Sequence, residues 1–257
     1  MIYNSKQRDL FRNLPYWEWT RQNRLRNPLI RQFRARLKKY FFDLGVQLFE
    51  DYKYASTLLM DITVNNYWKM LQNIFRVQYY IIAHSFKNYA LDRIQNVKDF
   101  DSEFDRKLAL YINENVGTWV GEINETTRKR ITAVINDSYA SGLSVDDTGT
   151  ALRNTIIGMG VFRANLIART ETHRTASWAN ETVAENMQIQ GTVKEWIAIQ
   201  DARTRVTHSI ASGQQIPLEH KFVVGGDRLK FPGDPIGSPE ETINCRCSVI
   251  YTTPDYL

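Results

Sequence analysis

Two long stretches with no proline inside them repeat apolar residues every three or four positions, and this constrains the fold more than any other feature of the chain. The first stretch carries Leu29, Ile30, Phe33, Leu37, Tyr40, Phe41, Leu44 and Leu48; the second carries Val64, Tyr67, Trp68, Leu71, Phe75, Tyr79, Ile82, Phe86 and Tyr89. That spacing lays an apolar stripe along one face of a helix. Residues 28–94 are therefore expected to form long amphipathic helices that pack on one another or on a partner, with Pro28 in the first turn of the first helix.

The cluster Asp99-Phe100-Asp101-Ser102-Glu103-Phe104-Asp105 has N-capping chemistry and predicts a break before a further helix over about 106–140, with Gly117 as a candidate interruption. Ser144 is placed to cap the next helix, with Asp146 and Asp147 favourably in its first turn. Gly158-Met159-Gly160 is expected to end that helix, and a last one is expected from about Arg163 to Gln190, stopped by Gly191. Beyond Gly191 the pattern changes. Residues 192–199 alternate like a strand, glycines and prolines then cluster, and residues 245–251 predict a final strand. The expected fold class is α+β: a mainly α-helical N-terminal body followed by a small loop-rich C-terminal module containing short β-strands. The expected segments are a basic aromatic arm (1–27), a helical body (28–190) and the β-containing module (191–257).

Composition narrows the function classes. Hydrophobic residues make up 43% and charged residues 24% of the 257, as in a folded globular protein, and thirteen Tyr, twelve Phe and six Trp supply bulk for a core. No stretch approaches the roughly 20 apolar residues of a membrane helix, so no membrane is required. The N-terminus lacks the apolar region of a secretory signal. The only cysteines, Cys245 and Cys247, are one residue apart, a spacing that strains a disulfide; a reducing cytoplasm is the expected compartment. Neither a phosphate-binding glycine loop nor a serine-hydrolase elbow nor a paired-histidine metal helix is present.

Charge is unevenly placed. Residues 1–40 hold eleven Lys and Arg against Asp9 and Glu18, a net of +9 in a chain whose total is +5. A basic arm on a mildly acidic body suggests a polyanion or an acidic protein surface as partner. Arg8, Arg12, Arg21, Arg24 and Arg26, interleaved with Tyr16, Trp17 and Trp19, are the candidate contacts. They suit DNA phosphates and stacked bases, an acidic protein surface anchored by Trp and Arg, or solvent alone. Because the arm lacks the apolar period of the helices that follow, the body is expected to fold without residues 1–26.

In order along the chain stand Arg163-Ala164, Ile167-Ala168-Arg169-Thr170-Glu171-Thr172, Glu195-Trp196, Asp201-Ala202-Arg203-Thr204-Arg205, His208, Gly213-Gln214, Leu229, Phe231-Pro232-Gly233-Asp234-Pro235 and Ile243-Asn244-Cys245-Arg246-Cys247. This ordered set resembles the phage Mu F-like family, the phage head morphogenesis or minor head proteins, over about residues 115–257 and most sharply over 163–250. The resemblance implies a structural component of a tailed-phage virion, present in few copies inside the capsid near the portal vertex after assembly in the host cytoplasm. Its implied partners are the portal protein, a scaffold or major capsid protein, and viral double-stranded DNA during packaging or ejection. Many members of the family continue into a C-terminal toxin or enzyme domain, whereas this sequence ends at Leu257 just after the motif; a fused catalytic activity is not expected, and the expectation is that the protein is not an enzyme.

Within the motif, Arg169, Glu171, Trp196, Asp201, Arg203, Arg205, His208, Asn244 and Arg246 are the candidate structural residues. Cys245 and Cys247 face the same side if they lie on a strand. With His208, or alternatively His220 or Asp201, they would make a structural zinc site. The alternative needs no cofactor: two small residues packed under a loop, which the C-x-C spacing favours because it is less diagnostic than the usual zinc spacings. His208, Arg203 and Arg205 could instead serve a nuclease or toxin-like enzyme, with His208 as general acid–base. Asp201 paired with Arg203 or Arg246 would be an electrostatic lock. Glu171 is placed to pair with Arg174 at i, i+3 on a solvated helix face, or to fix that helix to the β module.

Overall fold

The computed structural model describes residues 2–4, 14–54, 57–92 and 100–253; Arg8 and Arg12 lie outside the described residues. The element order is β1 (Ile2–Asn4), α1 (Leu14–Tyr54), α2 (Thr57–Leu91), α3 (Phe100–Ala140), α4 (Val145–Asn186), β2 (Val193–Ile197), α5 (Val206–Ala211), β3 (Gln215–Pro217), β4 (Phe222–Val224), β5 (Asp227–Leu229), α6 (Pro239–Thr242) and β6 (Ser248–Thr253). A mainly helical N-terminal part and a small strand-containing C-terminal module are both present. None of the helices among the described residues is long and apolar enough to cross a membrane. The chain forms two compact units. One comprises Met1–Ile30, Tyr79–Leu108 and Arg169–Leu257; the other comprises Arg31–Gln78 and Ala109–Ala168.

Among the described residues, the second unit is built from helices joined by a short turn. The apolar stripe of α1 is buried there as Phe33, Leu37, Tyr40, Phe41, Leu44 and Leu48, and Leu71 and Phe75 of α2, Val116 and Val120 of α3, and Leu152 and Ile156 of α4 are buried in the same unit. Phe33 and Phe75 pack edge to face with centroids 5.1 Å apart, a favoured aromatic geometry. Gly117 does not interrupt α3, and Gly158-Met159-Gly160 does not end α4. Gly160 is there for close approach instead: a Cβ on it would sit 2.3 Å from Cβ of Phe41. Gly158 faces open space. Gly158→Ala is therefore expected to stabilise the helix by up to about 1 kcal/mol. Gly160→Ala should destabilise it by about 1–3 kcal/mol through overpacking. Thermal denaturation of the two variants should give shifts of opposite sign.

The first unit holds the sheet, in the order β1-β6-β2-β3, with β4-β5 as a separate hairpin. β1 runs parallel to β6, and β2 pairs antiparallel with both β6 and β3. Every residue of β6 is buried, so both of its faces are covered. Strand alternation assigns the faces. Lys194 and Trp196 of β2 pair with Tyr251 and Val249 of β6 on one face, while Glu195 and Ile197 pair with Ile250 and Ser248 on the other. On that second face, Trp19 of α1 and Tyr89 of α2 pack against Ile197 and Ile250.

The sequence starts α1 at Pro28, but the helix begins at Leu14 and carries Pro28 inside it. The reason is a polar stripe. Glu18, Gln22 and Arg26 are buried at i, i+4 and i+8, continuing with polar side chains the face that becomes apolar from Phe33 onward. Gln22 donates to Glu18 Oε1 at 2.9 Å and to the Val249 carbonyl at 3.1 Å. Tyr89 donates to Glu18 at 2.8 Å, and the Trp19 indole to the Arg246 carbonyl at 2.8 Å. A search for apolar periodicity does not see this face. These contacts argue against the expectation that the body folds without residues 1–26, because the arm helps to build the unit that holds the sheet.

Candidate functional site

The site forms where the turn before β6 meets α1, α4 and α5 of the same unit. Asn244 adopts φ 61°, a left-handed conformation that Asn tolerates better than most residues. Its backbone N–H donates to Thr170 Oγ1 at 3.0 Å. The residues that follow, Cys245 to Cys247, precede the strand rather than lying on it, since β6 starts at Ser248. The strand geometry expected for the two cysteines is thus not what brings them together; the turn is.

Cys245 and Cys247 are both buried and both face His208, which α5 presents to them and which is itself only 2% exposed. His208 Nδ1 lies 3.2 Å from Cys247 Sγ and 3.7 Å from Cys245 Sγ. The three donor atoms fall within 4.8 Å of one another, and no further His, Cys, Asp or Glu among the described residues joins them. On its other side, His208 Nε2 lies 2.9 Å from Glu241 Oε2, a close but poorly aligned approach, and Thr207 Oγ1 donates to the same oxygen at 2.8 Å. Trp196 packs edge-on against the imidazole at 5.8 Å. His220 is exposed and stands outside the cluster.

His173 of α4 and Arg26 of α1 complete the surroundings. Arg26 Nη1 contacts His173 Nδ1, and Arg26 Nη2 donates to Ser248 Oγ at 2.7 Å. A guanidinium can only donate, so His173 Nδ1 accepts and the ring proton sits on Nε2. Burial pulls the Arg26 guanidinium down to about 10 and lowers the His173 imidazole. Burial alone would push up the Cys245 thiol, but its interactions with Cys247, His173 and His208 outweigh it and hold Cys245 well below its ordinary value. Burial and the neighbouring Cys245 push Cys247 well above its own. Burial also opposes charge on His208, yet Cys245 and Glu241 raise it. Two sulfurs and an imidazole nitrogen in this arrangement are the ligand types zinc selects.

Asp201, Arg203, Arg205 and Arg246 lie beside the cluster but do not converge on it. Arg246 makes a two-pronged contact with Asp201, at 2.8 and 2.5 Å. Arg203 approaches Asp201 at 3.6 Å, its side chain 73% exposed. The Arg246 hydrogen bond holds the Asp201 carboxyl well below the usual range. Arg205 donates to the Ile243 carbonyl at 2.6 Å. A cavity of about 240 Å³ lined by Arg26, Arg169, His173, Arg203, Cys245 and Arg246, among others, reaches the cysteine side of the cluster. Burial and the facing Arg203 and Arg246 lower the Arg169 guanidinium.

Glu171 and Arg174 are buried rather than solvated. They pair at 3.0 Å, Tyr79 donates to Glu171, and Arg174 Nε donates to the Gly233 carbonyl at 3.0 Å. Gly233, at φ 82°, lies flat on α4, where a Cβ would meet His173 and Arg174. Trp196 is fully buried. Of the expected contacts on the basic arm, Tyr16, Trp17 and Arg24 are exposed, and Arg21 stacks over Trp17 at 4.7 Å and Tyr89 at 5.2 Å. Trp19 and Arg26 are turned inward.

Sequence reasoning missed His173, Glu241 and the inward role of Arg26. The signal for His173 was the polar run over 170–175, which reads as solvated yet is buried at every position.

Residues 121–250 match the family described as Phage Mu protein F like protein, within the span on which the sequence motif lies. An 86-residue stretch is 35% identical to the NAD(+)--arginine ADP-ribosyltransferase EFV of Enterococcus faecalis (strain ATCC 700802 / V583), covering 33% of this chain and 18% of that protein. No solved structure matches the chain.

Proposed function

Because the chain belongs to the phage Mu protein F like family, a family of phage head morphogenesis proteins, we propose that it is a structural minor head protein of a tailed bacteriophage, seated at the portal vertex. The observation that carries the structural reading over an enzymatic one is the placement of His208, Arg203 and Arg205. His208 is buried against two sulfurs and Glu241, Arg205 is tied to a backbone carbonyl, and Arg203 is turned toward solvent beside Asp201. General acid–base work requires such groups to reach one substrate together, and these do not share a cleft. The shared stretch is 18% of the ADP-ribosyltransferase, too small a part for that protein's named activity to be carried over.

Portal protein is the proposed principal partner, and the exposed face of α1 with Tyr16, Trp17 and Arg24 is the proposed contact; scaffold or major capsid protein and packaged DNA are secondary partners. Aromatic anchors lose little to salt, whereas phosphate contacts weaken steeply with it. The chain should stay bound to immobilised portal protein at high salt, and Trp17→Ala with Arg24→Ala should reduce retention by about tenfold or more, as loss of hot-spot residues does. Retention on DNA alone, lost as salt rises, would favour a nucleic-acid-binding protein instead.

A further inference from the structure

We propose that this chain binds one zinc ion through Cys245 Sγ, Cys247 Sγ and His208 Nδ1, with Glu241 and His173 as the groups that orient and support those ligands. Geometry comes first. Three soft or borderline donor atoms lie within 4.8 Å of one another, all from buried residues, and the 3.2 and 3.7 Å separations of His208 Nδ1 from the sulfurs are those of ligands sharing an ion. Zinc–sulfur and zinc–nitrogen bonds of about 2.3 and 2.0 Å at a tetrahedral angle put neighbouring donors roughly 3.5 Å apart.

The surroundings supply the second, independent observation. A metal-bound imidazole almost always gives its other ring N–H to a carboxylate, a backbone carbonyl or water; Glu241 Oε2 stands 2.9 Å from His208 Nε2, within reach of that role although not aligned as a hydrogen bond. In addition, four buried nitrogens in and around the cluster make no well-formed hydrogen bond: His173 Nε2, Trp196 Nε1, Arg26 Nε and His208 Nε2 itself. Thiolate sulfurs held by a metal accept hydrogen bonds from such groups, whereas a pair of neutral thiols is a weak acceptor set. Two thiolates also neutralise the ion, which suits a site this deeply buried.

His173 is a supporting residue and not a ligand. The Arg26 guanidinium occupies Nδ1, which fixes the proton on Nε2 and leaves that nitrogen a donor toward Cys245. No other His, Cys, Asp or Glu among the described residues reaches the set, so the ion keeps its fourth position for water. The cavity reaching Cys245 gives it a route in. Binding requires both cysteines as thiolates, so it would release thiol protons and couple metal affinity to folding of the β module.

The experiment is elemental analysis of the full chain after refolding with zinc sulfate and dialysis, paired with cobalt substitution. One zinc per chain and a thiolate-to-cobalt charge-transfer band are expected. Cys245→Ser and His208→Ala should each abolish both signals. His220→Ala should keep both, and His173→Gln should keep them with affinity weakened by about 10–100-fold. Should the ligand variants fail to fold, the wild-type chain still decides the matter. Wild-type protein without stoichiometric zinc and without the cobalt band would overturn the proposal, and so would full zinc retention in folded Cys245→Ser.

Discussion

Lys194→Met is expected to destabilise the protein by about 3–5 kcal/mol, the cost of breaking a buried charge pair from one side. Lys194 is fully buried on the face of β2 that also carries Trp196. Its ammonium lies 2.6 Å from Glu181 Oε1 and donates to the Lys230 carbonyl at 2.9 Å. Glu181 also accepts from Tyr251 at 2.7 Å. Helix α4 and both central strands thus meet on one carboxylate. Burial pushes that carboxyl up from 4.5 to about 7, against the opposing pull of Lys194 and Tyr251. A raised carboxyl contributes stability that is fully present below the unfolded value and lost as pH climbs through the folded one, so the wild-type contribution fades between pH 4.5 and about 7. Without Lys194 the carboxyl rises further, and the deficit of the variant should be larger above pH 7 than near pH 5. Chemical denaturation at the two pH values measures this. Adding Glu181→Leu to Lys194→Met should recover most of the loss, because an apolar pair replaces a stranded charge.

Removing residues 1–26 is expected to destabilise the unit that holds the sheet by about 4 kcal/mol or more, placing it among the large effects that buried networks produce. In a chain of this size that is a fall of ~8–16 °C in the melting midpoint. The truncation strips β1 from β6, Gln22 from the Val249 carbonyl, the Trp19 indole from the Arg246 carbonyl, and Arg26 from His173 and Ser248. Each loss leaves a buried polar group without its partner, the expensive side of hydrogen-bond energetics. Calorimetry of the truncated chain checks it. A midpoint within a degree or two of the full-length protein would mean that the start of α1 is a dispensable arm after all.

How much of this could be read in the residues follows from what periodicity detects. Where a buried face is apolar, as from Phe33 to Leu48 or from Val64 to Phe86, spacing alone locates the helix and the face that packs. The Ser144 cap was legible too, and the Asp147 N–H does donate to its hydroxyl at 3.1 Å. Where a buried face is polar, the same reasoning assigns it to solvent. Glu18, Gln22 and Arg26, and the whole run from Thr170 to Thr175, lie inside, and several of their partners are distant in sequence: Val249 for Gln22, Ser248 for Arg26, Tyr79 for Glu171 and Gly233 for Arg174. The three residues of β1 have no pattern of their own, because parallel pairing with β6 is what makes them a strand. Gly160 reads as a helix stop until Phe41 is seen against it. In the candidate site, His208 and the two cysteines stood out by residue type. Glu241 and His173 did not, since their roles rest on contacts that only the folded chain creates.

The placement of this protein in the phage head is tested most directly by counting it in purified heads assembled with and without the portal protein, using quantitative mass spectrometry. The account predicts a few copies per head, far fewer than the major capsid protein, and their loss when the portal is absent. An undiminished count in portal-free heads, or no copies in either preparation, would contradict it.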